Sequence, residues 1–166
     1  MKKALLLLLI TSGTLFGQQV GCTRLENSQF DFWVGNWNVY DRQDKKVGEN
    51  RIEKQYENCL IQENWVSTAA NKGTSYNYYN PADSTWNQLW VDNQGSILNL
   101  SGGFQDDRMI LKSGLQTSQK GQQYYNQISW INKPDGTVHQ VWEILNPAGA
   151  VLQTAFYGIY KRKEDK

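Results

Sequence analysis

The chain has 166 residues, a length that suits one domain with one sizeable core. Its 17 basic and 16 acidic residues nearly cancel, and no basic stripe of the kind that binds nucleic acid is present. One histidine and two cysteines leave little from which to build a nucleophilic triad or a zinc centre.

Lys2 and Lys3 precede the unbroken apolar run Ala4 to Ile10, and small and polar residues follow from Thr11 to Gly17. This is the layout of a secretory signal peptide over residues 1–17, with cleavage expected near Gly17. A bilayer takes about 20 apolar residues, so the run is too short to span one. No later stretch is longer, and no transmembrane span is expected. The expected location is the periplasm or the extracellular space. Without Lys2 and Lys3 the chain holds 15 basic against 16 acidic residues.

Residues 18–29 form an N-terminal segment containing Cys22. An even cysteine count in an exported protein favours a disulfide, here Cys22 to Cys59. In the chain-entropy model that bridge stabilises the fold by roughly 3–4 kcal/mol. The alternative makes Cys22, preceded by Gly21, the acceptor of a lipid anchor. Gln19 then stands where an aliphatic residue is needed, and the apolar run ends well upstream at Phe16.

Residues 30–163 read as one all-β domain, with a solvated tail at 164–166. Helix signals are nearly absent, and turn signals recur at the spacing of a sandwich or barrel. Asp41 to Gly48 reads as a long charged turn and Asn80 to Ser84 as a Pro-containing one. Asp92 to Gly95, Lys133 to Gly136 and Asn146 to Gly149 each place Gly where a hairpin needs positive φ. Between them lie about ten strand-like runs, starting near Trp37, Val47, Leu60, Gly73, Thr85, Ser96, Arg108, Gln122, Thr137 and Val151. The aromatic content, 13% with seven Trp, suits strands. Ten flat strands would leave two long open edges. Closure into an antiparallel up-and-down barrel removes them, with a two-sheet sandwich as the alternative.

The most distinctive string is Phe30-Asp31-Phe32-Trp33-Val34-Gly35-Asn36-Trp37. Its Gly35-x-Trp37 resembles the Gly-x-Trp that opens the first strand of lipocalins and other calycin barrels. That resemblance implies a calycin-type barrel closed at one end by Trp37, with a basic residue of the last strand across its ring. Arg162, or else Lys161, is in the right place for that cation–π contact. The full string is similar to a narrower group of exported, lipocalin-like bacterial proteins of no established function. Asn58 to Trp65, Gln88 to Asp92, Asp135 to Glu143 and Phe156 to Tyr160 fit that group too. The likeness runs roughly from Phe30 to Arg162 and brings no catalytic motif.

Polar side chains alternate with Trp on single strand faces. Trp86, Gln88 and Trp90 share one face, Gln140 and Trp142 another, Asn126, Ile128 and Trp130 a third, and Glu63 lies in phase with Trp65. If these faces look inward, their amides need partners, because an unpaired buried polar group costs about 1–3 kcal/mol. A small, partly apolar ligand held by Trp65, Trp86, Gln88, Trp90, Trp130, Gln140 and Trp142 would supply them. Amides that bond one another, or faces turned to solvent, are the competing readings.

His139 lies on the opposite face from Gln140 and Trp142. It reads as an exposed strand histidine rather than a haem ligand, and no cofactor or metal is expected. Glu53, Glu63, Asp92, Asp106, Asp107 and Glu143 could supply carboxylate catalysis if two converged. Glu63 and Glu143 stand out because each adjoins Trp away from a turn. Binding of a small molecule in the barrel is the leading expectation. An enzyme using Glu63 or Glu143 and a structural or interaction module are the alternatives.

Overall fold

A computed structural model describes residues 22–164. The expected leader at 1–17 lies outside the described residues. Strands β1 (Gly35–Tyr40), β2 (Lys46–Gln55), β3 (Leu60–Ser67), β4 (Lys72–Asn80) and β5 (Thr85–Asp92) follow one another as hairpins. β6 (Ile97–Gln105) and β7 (Arg108–Lys112) continue the series, then β8 (Gln116–Thr117), β9 (Gln123–Asn132), β10 (Val138–Leu145) and β11 (Val151–Arg162). Every pairing is antiparallel. β7 passes to β9, β9 to β10, and β10 to β11, and β11 returns to β1 with Trp37 opposite Arg162. Ten strands thus close an up-and-down barrel and leave none of them a wholly unpaired edge.

The ten expected starts fall no more than two residues from observed ones. Period-two patterning carries that information, and the glycines at 95, 136 and 149 do adopt positive φ in their hairpins. Two details differ. β8 is an extra short strand that prolongs the line of β7 along β9, one residue out of register: Lys112 faces Gln127, whereas Gln116 faces Tyr124. Gly48 belongs to β2 rather than to the preceding turn, where it meets Ser67 of β3.

The chain before β1 makes two single-turn 3-10 helices, Leu25–Ser28 and Asp31–Trp33. They fold over one end of the barrel and plug it. Phe30 and Trp33 are wholly buried and stack at 4.8 Å, and Phe30 also meets Trp86 and Trp130 edge-on. Burying each such side chain stabilises the fold by roughly 1.5–3 kcal/mol. Cys22 and Cys59 form a disulfide that ties this segment to the β2–β3 turn, and the Cys22 amide also donates to Glu57 O at 3.4 Å. Trp37 is buried beneath the plug, its Nε1 donating to Trp33 O at 2.8 Å. The Arg162 guanidinium lies 4.5 Å from the Trp37 ring and donates to Val34 O.

Candidate functional site

All seven Trp face the interior, but at two heights. Trp33, Trp37, Trp86 and Trp130 fill the plugged end, each no more than 2% exposed. Trp65, Trp90 and Trp142 line a cavity of about 590 Å³ in the other half. That volume falls within the usual range for small-molecule sites. Its mouth is formed by the β3–β4 and β5–β6 turns, which contribute Asn71, Gln94 and Ser96.

Of the seven residues expected to line a ligand site, Trp65, Gln88, Trp90, Gln140 and Trp142 meet around this cavity. Trp86 and Trp130 do not. They share strand faces with Gln88 and Ile128 but sit nearer the plug, packed on Phe30. The indole Nε1 of Trp86 donates to Gln29 Oε1 at 3.1 Å, a residue of the N-terminal segment. Trp142 is oriented by Asn126, whose Oδ1 accepts its indole N–H at 2.9 Å, and Asn126 in turn donates to Gln116 Oε1.

Beneath the indoles lies a polar floor. Glu63 Oε1 accepts from Asn50 Nδ2 at 2.7 Å, and Glu63 Oε2 from Ser75 Oγ at 2.6 Å. Ser75 Oγ itself accepts from Asn77 Nδ2 at 2.9 Å and Gln88 Nε2 at 3.4 Å, so its hydroxyl proton is directed to Glu63. Gln88 also donates to Asn77 Oδ1 at 2.8 Å. On the other side Asn50 donates to Tyr160 OH, which donates to Gln140 Oε1. Donors thus converge on one carboxylate from two strands. Burial still pushes the Glu63 carboxyl above its ordinary pKa, because these neutral donors do not replace water fully. Burial and the nearby Glu63 charge raise the Tyr160 hydroxyl well above its usual range, so it stays neutral.

Ser75, Asn77, Asn50 and Tyr160 are site residues that sequence reasoning missed. β4 is inverted relative to the usual rule: Ser75 and Asn77 are wholly buried, whereas Tyr76 and Tyr78 are about 40% exposed. The available clue was cross-strand: Ser75 stands opposite Glu63, and Asn77 opposite Gln88.

The other candidates lie away from the polar floor. His139 is partly exposed on the outer face, its Nδ1 2.9 Å from Tyr157 OH, and partial burial lowers its pKa. Glu143 of the same strand does not line the cavity. Asp92 is at the cavity mouth, where it accepts from the amides of Gln94 and Ser96 within its own hairpin. Among the described residues, no three His, Cys, Asp or Glu side chains cluster to hold a metal ion, and no helix is long and apolar enough to cross a membrane.

Comparison with known proteins supplies no assignment. No protein-family model matches the chain, and no curated protein aligns with it significantly. The reading of the site rests on its own residues.

Proposed function

We propose that this is an exported, lipocalin-like barrel that holds a small, partly apolar molecule in its open half. One observation carries the reading: a cavity of about 590 Å³ walled by Trp65, Trp90 and Trp142 over a floor of amides and one carboxylate. Aromatic walls supply contact area, and a few fixed polar groups supply orientation. The donor Nε2 of Gln140 and the acceptor Oε1 of Gln88 make no hydrogen bond within the described protein and are the groups available to a guest. The Gly-x-Trp opening and the Arg162–Trp37 contact support the family likeness. A lipid anchor at Cys22 would compete with the disulfide for one sulfur, and we favour the disulfide.

Titration with a panel of lipids, sugars and tetrapyrroles, followed by Trp fluorescence, tests the proposal. At least one class should quench emission saturably, and Trp90→Phe and Gln140→Ala should weaken that response. Silence across the panel would remove the carrier reading.

The second reading is an enzyme that uses Glu63 to carry a proton. Its buried carboxyl, with a raised pKa beside a cavity, is the feature that favours it. Glu143 takes no part in it, since it does not line the cavity. Turnover of any bound compound, abolished by Glu63→Gln, would establish this reading over simple binding.

A further inference from the structure

The cavity's charge pattern goes further than its shape. Among the described residues no Lys, Arg or His lines it, and its only carboxylates are Glu63 at the floor and Asp92 at the mouth. Asp92 is occupied by its own hairpin amides and by Asn71. Glu63 is different: it is 5% exposed, lies against the cavity, and has no cationic partner among the described residues.

Its hydrogen bonding nevertheless suits the ionised form. Both oxygens accept, from Asn50 and Ser75, and Ser75 cannot readily accept a proton from Glu63 because Asn77 and Gln88 already donate to it. A carboxylate wired to accept, buried and without a counter-charge, is an unfinished ion pair. A ligand cation entering the cavity would complete it. Indole faces are the best aromatic surfaces for a cation, and three of them share this cavity with Glu63.

Resting on the cavity-binding reading above, we propose that the ligand is an organic cation. It would be a small ammonium compound with an apolar or aromatic body, its charge directed to Glu63 and its body held by Trp65, Trp90 and Trp142. A carboxylate ligand such as a fatty acid is disfavoured, because it would meet Glu63 with no cation between them.

Asn50 of β2, Ser75 of β4, Gln88 of β5, Gln140 of β10 and Tyr160 of β11 make up the network around Glu63. Only Tyr160 among them titrates, and it is held neutral. Affinity for a permanently charged cation should therefore rise with pH as Glu63 ionises, then level off.

The experiment titrates the unmodified protein with phenyltrimethylammonium, its neutral isostere tert-butylbenzene, and benzoate, following Trp fluorescence from pH 5 to pH 8. The cation should bind about tenfold or more tightly than tert-butylbenzene, and benzoate most weakly. Only the cation's affinity should climb with pH. Glu63→Gln should remove most of its advantage over the neutral isostere and flatten the profile. Equal binding of cation and isostere, tighter binding of benzoate, or a preference left undiminished by Glu63→Gln would overturn the proposal. If the variant does not fold, equal affinity of the unmodified protein for phenyltrimethylammonium and tert-butylbenzene overturns it equally. Binding of tert-butylbenzene without cation preference would leave the carrier reading standing. Silence from these probes and from the wider panel would remove both.

Discussion

The benzo edge of Trp65 occupies the space that a side chain at Gly48 would need. A Cβ on that glycine would stand 2.4 Å from Cη2 of the indole and 2.7 Å from the carbonyl oxygen of Val66. Trp90 stands in the same relation to Gly73, with contacts of 2.4 Å to its Cη2 and 2.8 Å to Val91 O. Each indole of these two strands therefore lies low against the neighbouring strand, and the glycine beneath it helps keep the cavity open.

Gly48→Ala and Gly73→Ala should each destabilise the barrel by about 1–3 kcal/mol, because the backbone oxygen cannot move aside as a side chain can. Each should also push its indole into the cavity. Urea unfolding checks the first effect, and a shift in Trp emission with weakened ligand response checks the second. Unchanged stability in both variants would show that the strands separate freely there.

Glu63 makes stability depend on pH in a defined direction. Its folded pKa is raised above the ordinary value of 4.5, so the folded chain binds the proton more tightly than the unfolded one. Its contribution is then complete below the ordinary carboxylate range and is lost as pH rises through the raised folded value. Measured against Glu63→Gln, the unmodified protein should lose relative stability as pH rises above about 4.5. Urea midpoints of the pair from pH 4 to pH 8 test this, and a constant difference would contradict it.

Reduction of Cys22–Cys59, or the double change to Ser, should cost roughly 3–4 kcal/mol, since the bridge closes a loop of 37 residues' separation. The loosening should show first at the plugged end. Phe30 and Trp33 belong to the tethered segment, so near-ultraviolet circular dichroism from the packed aromatics should weaken before the strands melt.

The closed end offers a graded test. Arg162→Ala removes a cation–π contact and one hydrogen bond, a loss of about 1 kcal/mol at an exposed site. Gly35→Ala should cost more. Gly35 has φ of +143°, and a Cβ there would stand 2.5 Å from Arg162 Nη1, so the substitution strains the backbone and also displaces the guanidinium. Thermal unfolding of the two variants should rank them in that order.

The sequence by itself determined ten of the strands, their hairpins and which residues share a strand face; it favoured ring closure over a sandwich and left open whether the Trp faces look inward. Alternation with period two is a local property, and positive-φ glycines mark local turns. It could not determine height along the barrel axis. Trp86 and Trp90 are two positions apart on one face, yet the first packs on Phe30 and the second lines the cavity. Only the folding of residues 22–34 over one end separates them. β4 was decided in the same way. Its polar residues face inward because Ser75 lands opposite Glu63 and Asn77 opposite Gln88, so that each buried polar group finds a partner across the sheet. Register between strands and placement of the plug are long-range facts, and they turned the alternating pattern into a packed half and an open one.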